Sequence, residues 1–173
     1  DEACSELFWA EGMDKPIMPA NDLELYAKWA AHSFVMYFDA NDGSVSTTSK
    51  AALCGVELGT LPTPTRTGYT FEGWFTATNG GEQITANSII EIAEDITLYA
   101  RWTVNTYKVT FNANGGSVST SSMNVNYGST YGSLPTPTRT GFSFNGWYTE
   151  DGGTGSQVTA STIVRGDLKV YAK

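Results

Sequence analysis

The 173-residue sequence is poor in the side chains that most enzymes use for proton transfer and metal binding. It contains one histidine, His32, and two cysteines, Cys4 and Cys54. Only 16% of its residues are charged, and lysine and arginine form no basic stripe, so nucleic-acid binding is disfavoured. No run of apolar residues is long enough to cross a membrane, so membrane insertion is not predicted either.

The few residues with catalytic potential do not form a recognisable site. His32 lies between two sequence units and has no counterpart in the second copy, although a nucleophile needs a partner base. The acidic residues of 82–95 fall in loops rather than facing each other across a cleft. Segment 39–43 resembles part of a calcium loop, but its counterpart 112–116 carries no carboxylate. The sequence therefore predicts no catalytic residue, no metal, no cofactor and no enzyme activity.

What the sequence does contain is an internal repeat. The stretch LPTPTRTG at 61–68 returns unchanged at 134–141, and YTFEGWFT at 69–76 is matched by FSFNGWYT at 142–149. The stretch LYAKW at 25–29 is matched in the same way by LYARW further along the chain. Such a spacing indicates tandem copies of one small folding unit.

The repeat divides the chain into units joined by short linkers. The predicted segments are 1–29 (the C-terminal part of a truncated repeat), 30–33 (linker), 34–102 (complete repeat 1), 103–106 (linker) and 107–173 (repeat 2, without the last Trp of the pattern). Each four-residue linker spans at most about 14 Å, so we expect a semi-rigid array.

Each unit is predicted to be mostly β. Residues 107–112 alternate apolar and polar side chains, which is typical of a half-buried strand. The sequence Asn-Gly-Gly at 114–116 supplies the positive φ of a hairpin turn. An aromatic strand is predicted over 142–149, where Gly146 indicates a bulge that turns Trp147 into the core. Aromatic rings dominate the predicted core, namely Phe38, Phe71, Trp74, Trp102, Phe111, Phe144 and Trp147.

The outer face of the first strand differs between the copies. Repeat 1 has Val35 and Tyr37 where repeat 2 has Lys108 and Thr110. An apolar outer face in one copy suggests a cover, either residues 1–29 or a neighbouring chain. The candidate interaction surface is therefore Val35, Tyr37, Tyr26, Tyr99 and Tyr171.

Two features leave alternatives open. Asp95 and Asp167 recur ahead of the last strand, where they serve either the turn itself or a ligand.

Cys54 occupies the position of Tyr127 in the second copy, so the cysteines are not part of a repeated framework. We favour two isolated small hydrophobic residues, and an inter-unit disulfide is the alternative in an oxidising setting.

These motifs resemble a known family. The stretches VTFNANGGSVST, LPTPTRTGFSFNGWYT and DLKVYAK are similar to the Listeria–Bacteroides repeat, the type also found as the B repeat of internalin B. The resemblance implies an α+β, β-grasp-like (ubiquitin- or SUMO-like) module in large bacterial surface or secreted proteins. Repeat 1 departs from the pattern at Asp42-Gly43 and at Cys54-Gly55.

The function expected from these observations is that of a non-enzymatic spacer or stalk at the cell surface or outside the cell. Its partners are then the neighbouring repeats of the same protein. One alternative is an adhesive module for a host-surface protein or glycan, which uses exposed aromatic rings or an exposed strand edge. Another is a segment of a self-assembling surface filament.

Overall fold

A computed structural model describes residues 27–173, and these fold almost entirely into β-structure. The first sheet contains β1 (Ser33–Asp39), β2 (Ser49–Leu53), β3 (Tyr69–Phe75), β4 (Gln83–Ile84) and β5 (Ile96–Val104). The second contains β6 (Thr106–Asn112), β7 (Ser122–Asn126), β8 (Trp147–Glu150), β9 (Thr154–Val158) and β10 (Leu168–Ala172). A 3-10 turn at Asp151–Gly153 joins β8 to β9, and the described part of the chain contains no α-helix.

Both sheets have the same mixed topology. Their strand orders are β2-β1-β5-β3-β4 and β7-β6-β10-β8-β9. The first and last strands of each set lie side by side and parallel, with Phe38 opposite Leu98 and Phe111 opposite Val170. Antiparallel hairpins extend each sheet on either side. The prediction of a mostly-β tandem repeat array is confirmed.

Contacts divide the chain into two compact units whose limits differ from those of the sequence repeats. Among the described residues, one unit takes in those up to Thr65 together with Glu72–Arg101, and the other consists of Arg66–Phe71 and Trp102–Lys173. A hexapeptide that belongs to the first repeat in sequence is therefore part of the second compact unit. Three of the four residues of the predicted linker 103–106 lie in β5 or β6, with Asn105 between them.

The alternation of side chains explains the strands. In β1, Phe34, Met36 and Phe38 are buried while the residues between them face outward. The following turn places Asn41 and Asp42 at positive φ, and the second copy uses Asn114 and Gly115. Asn and Asp are the side chains that tolerate this conformation best after glycine, which explains why the departure at Asp42 leaves the hairpin intact.

The core of the second unit lies between the sheet and two irregular segments. Its buried residues are Val109, Phe111, Tyr131, Trp147, Val158, Val164 and Val170. The rings of Phe111 and Trp147 meet at 4.9 Å between centroids, and Phe38 and Trp74 repeat this distance in the first unit. Burial of one such indole stabilises a unit by about 4–6 kcal/mol, at ~25 cal/mol per Å² over 150–250 Å².

The aromatic strand differs between the copies. In the first copy β3 begins at Tyr69, whereas in the second β8 begins only at Trp147, so the prediction of a strand over 142–149 is wrong for residues 142–146. The neighbouring strand β5 continues to Val104, whereas β10 reaches Ala172, the last residue but one of the 173-residue sequence. Trp147 is buried in the core as expected, and Gly146 before it has a φ of 130°.

Candidate functional site

The repeated polar side chains of both copies are used inside the fold. The indole Nε1 of Trp74 donates to the carbonyl of Pro62 at 2.8 Å, and that of Trp147 donates to Pro135 at 2.8 Å. A buried indole needs such an acceptor. The proline-rich segment therefore supplies the hydrogen-bond acceptor for the buried tryptophan in each copy.

The repeated aspartates bind backbone amides. The amide of Val35 donates to Asp95 Oδ1 at 2.8 Å, and the amide of Lys108 donates to Asp167 Oδ1 at 2.8 Å. Each aspartate thereby ties the turn before the last strand to the beginning of the first. Of the two alternatives left open by the sequence, the structure favours the one in which Asp serves the turn.

The turn asparagines have a second role that the sequence did not reveal. The Nδ2 group of Asn41 donates to the carbonyl of Ala100 at 3.1 Å, and that of Asn114 donates to Ala172 at 2.9 Å. Each side chain therefore links the first hairpin to the last strand. The recurrence of Asn at this place in NDG and NGG is the sequence signal for this role, although a positive φ alone also accounts for it.

The candidate interaction residues lie on the outer faces of the sheets to different extents. Tyr37 is 46% exposed, whereas Val35, Tyr99 and Tyr171 are half-buried. Tyr26 and most of the proposed cover 1–29 lie outside the described residues. The strand register places Tyr37 opposite Thr97 and Asp39 opposite Tyr99, so Val35 and Tyr37 share one face of the sheet with the exposed Asp39.

The equivalent face of the second sheet is cationic. Lys108 is exposed, and Lys169 lies opposite Thr110 with its Nζ 5.1 Å from the centroid of the Tyr171 ring. A shallow depression at this place is lined by Lys108, Thr110 and Lys169 together with Asp167. The two faces therefore offer different chemistry to a partner.

Cys54 corrects the favoured interpretation of the cysteines. It is buried and disulfide-bonded, and its amide donates to the carbonyl of His32 at 2.8 Å. The sequence has one other cysteine, Cys4, which lies outside the described residues. The interpretation of Cys54 as an isolated small hydrophobic residue is therefore wrong. Burial is expected both for a free thiol and for a disulfide, so it could not have distinguished them.

Burial also affects one tyrosine of the second core. Desolvation raises the pKa of the Tyr131 hydroxyl above its ordinary value of 10.0. Its counterpart in the first copy is Leu58, which is buried in the same way. The role of this position in both copies is therefore to fill the core beneath the crossover segment.

A small cavity lies on the second copy. A cavity of about 80 Å³ is lined by Pro137, Arg139, Phe142, Phe144 and Ala172. Residues 27–173 contain no group of three His, Cys, Asp or Glu side chains that could hold a metal ion. Over the same residues, no helix has the length and apolarity that a bilayer crossing requires.

Comparison with known proteins gives one consistent relationship. The Listeria-Bacteroides repeat domain matches residues 34–101 and 107–173. A protein of Evansella cellulosilytica, named as a Gly-rich membrane protein, is 32% identical over 163 residues, which cover 91% of this chain and 19% of that protein. Internalin H of Listeria monocytogenes is 35% identical over 143 residues, which cover 82% of this chain and 25% of that protein.

The chain spans a quarter or less of the length of these relatives. Both matched segments coincide with the two sheets of shared topology and shared tryptophan contacts. The chain belongs to the Listeria-Bacteroides repeat family.

Proposed function

We propose that these repeats form a non-enzymatic spacer that carries tension along a secreted or cell-surface protein. The observation that supports it most is the strand order of each sheet. In both copies the first and the last strand are central, parallel neighbours. Tension on the two ends of a repeat therefore pulls adjacent strands in opposite directions along their length.

This geometry loads the hydrogen bonds between the strands together. Four residue pairs join β1 to β5, from Met36 with Ile96 to Asp39 with Tyr99. Four pairs join β6 to β10, from Val109 with Leu168 to Asn112 with Tyr171. Bonds that lie across the direction of pulling must break at once, whereas those of an edge hairpin open one after another. The arrangement suits a module that has to hold its length under load.

The use of polar groups supports the same proposal. The indole, aspartate and asparagine contacts that recur in both copies all stabilise the fold. A catalytic or ligand-binding module would be expected to direct recurring polar groups at a shared cleft instead. The recurrent chemistry of this sequence is thus accounted for by folding.

A location outside the cytoplasm is supported by two observations. Relatives of this chain are named as membrane proteins and as internalin H. The disulfide at Cys54 suits an oxidising compartment, where such bonds persist.

The mixed sheet with its central parallel pair also supports a β-grasp-like module. The crossover from β2 to β3 is irregular in this protein rather than helical.

Single-molecule pulling on the two ends of the chain, under reducing conditions, tests the proposal. Each repeat should unfold in one step that releases roughly 220–240 Å of contour, at about 3.3–3.6 Å per extended residue, less its folded length. A matched variant in which handles are attached to both ends of the β6–β7 hairpin should open at lower force. Unfolding of both repeats at the lowest forces, without a resolvable step, would contradict a load-bearing role.

A second candidate function is adhesion, which the exposed ring of Tyr37 on the outer face of β1 favours. Tyr37 is 46% exposed, so its ring is available to a host-surface protein or glycan. Binding to cells or to a glycan array should then be saturable and should be lost in Tyr37→Ala. The matched control is Thr110→Ala, which alters the equivalent position of the cationic face.

A further inference from the structure

One surface is covered in the first copy of the repeat and open in the second. It is formed by Arg66–Phe71, which is part of the second compact unit, and by the equivalent residues 139–144. We call these the covered segment and the open segment. Both follow the same LPTPT sequence, so a difference in their surroundings does not come from the residues before them.

A tyrosine ring lies on the covered segment. Tyr69 and Tyr127 meet edge to face with 6.4 Å between their centroids, and Tyr107 supports Tyr127 from its other side at 6.2 Å. A Cβ atom added to Gly68 would overlap the ring of Tyr127. Glycine is therefore required at this position for contact as well as for its φ of 80°.

Hydrogen bonds and a second ring complete the cover. The amide of Asn105 donates to the carbonyl of Gly68 at 2.9 Å, and the hydroxyl of Thr70 donates to Asn105 Oδ1 at 2.6 Å. Phe71 contacts Trp102 with 5.5 Å between ring centroids. The covering groups thus come from the end of β5, from Asn105 and from the residue that follows β7.

The open segment presents the same groups without a cover. Phe142 is 66% exposed, whereas the equivalent Tyr69 is half-buried. No atom lies within 4 Å of a Cβ added to Gly141, which has the same φ of 80° as Gly68. Arg139 lies over the Phe142 ring at 4.2 Å, as Arg66 lies over Tyr69 at 4.0 Å. The cavity of about 80 Å³ lies against this segment.

We propose that the open segment is a docking surface for a repeat of the same kind that directly follows it in a tandem array. Its occupant has a tryptophan at the place of Trp102, an asparagine at that of Asn105 and a tyrosine at that of Tyr127. The covered segment shows each of these contacts already made by such residues. Each repeat therefore offers its LPTPTRTG loop to the repeat that follows it.

The proposal extends beyond the spacer function, because it holds equally if the array is adhesive. It also explains why 61–68 and 134–141 are identical while the outer faces of the sheets are not. The loop has to satisfy the tryptophan of its own repeat through Pro62 or Pro135 and also receive the next repeat. Two requirements on one segment leave little freedom to vary.

The test compares the chain with an extended chain in which a second copy of residues 102–173 is added after Lys173. Phe142→Cys is introduced in both, and the rate of its reaction with a maleimide is measured without reductant, so that the disulfide at Cys54 stays closed. We expect the rate to fall at least threefold in the extended chain. Replacement by alanine of the added copy's tyrosine equivalent to Tyr127 should restore it.

Ile163→Cys is the control, since Ile163 and its counterpart Ile89 are both about half exposed. Its rate should be equal in the two chains, which shows that extension does not disturb the fold. Equal rates at position 142 in both chains would overturn the proposal. Protection of the thiol at position 142 in the unextended chain that grows with protein concentration would overturn it too, in favour of a second copy as the occupant.

Discussion

The two repeats share the contacts that close the core and differ in those that face outward. The Phe–Trp centroid distance is 4.9 Å and the interplanar angle 55° in both copies, and the indole bonds to proline carbonyls have the same length. By contrast, Cys54 is replaced by Tyr127, and Val35 and Tyr37 of β1 are replaced by Lys108 and Thr110. The comparison teaches that the recurring residues are what folding requires, and that the others are free to serve each copy separately.

The tryptophans give the largest expected effect. Trp74→Ala and Trp147→Ala should each destabilise their own repeat by about 3–5 kcal/mol, because each leaves a large cavity and an unpaired proline carbonyl. A module of this size has a total stability of about that magnitude, so it should unfold. Amide NMR spectra should then lose the signals of one repeat and keep those of the other.

Trp29→Ala is the matched control, because Trp29 is 60% exposed. It should change the free energy of unfolding by less than about 0.5 kcal/mol. Loss of the signals of both repeats in either core variant would show that they unfold as one cooperative unit, which would contradict the prediction.

The disulfide gives the next largest effect and breaks the symmetry of the comparison. Reduction should destabilise the repeat that contains Cys54 by about 2–4 kcal/mol, since the unfolded chain regains the freedom that the bridge removes. Calorimetry should show one transition shifted and the other in place. The variant Cys54→Ala should be insensitive to the reductant, and non-reducing peptide mapping should find Cys54 linked to Cys4.

The pair Gly68→Ala and Gly141→Ala sharpens the comparison further. Both residues have a φ of 80°, so alanine should cost about 1–2 kcal/mol of conformational strain at each. Gly68→Ala should cost about 1–3 kcal/mol more, because its Cβ displaces the Tyr127 ring. Denaturant unfolding measures both changes, and the difference should disappear in a Tyr127→Ala background. Equal costs in the unmodified background would contradict the contact.

The smallest effect concerns alkaline pH. Burial raises the pKa of Tyr131 in the folded state above the unfolded value of about 10, so the neutral hydroxyl is favoured by the fold. Its contribution to stability is complete below pH 10 and should be lost as the pH rises through the folded pKa. Thermal unfolding between pH 8 and 11 should show an alkaline loss in the second repeat. Tyr131→Phe should remove that loss, and the first repeat, with Leu58, should not show it.

Much of the fold could be predicted from local sequence patterns. The alternation over 107–112 and the Asn-Gly turn each depend on neighbouring residues alone, and each has the expected structure. Trp147 is buried as predicted, but the register irregularity of β8 lies between Tyr148 and Glu150 rather than at Gly146. The beginning of the aromatic strand could not be predicted, because it depends on pairing with a strand that is distant in sequence. The burial of Tyr131 and Val164 could not be predicted either, since irregular segments carry no periodicity.

The surface was less predictable than the core. The disulfide of Cys54 depends on the distance between two residues that sequence does not supply. The difference between Tyr69 and Phe142 depends on which neighbour is present, although the two segments are nearly identical in sequence. Contacts that both copies make can be predicted from the repeated sequence pattern. Contacts that only one copy makes cannot.

The direction of pulling tests the central claim most directly. The claim is that each repeat resists tension because its terminal strands are parallel neighbours. Force applied through the two ends of residues 107–173 should require several times the force needed to open the same repeat through both ends of the β6–β7 hairpin. Equal forces in the two directions would contradict it.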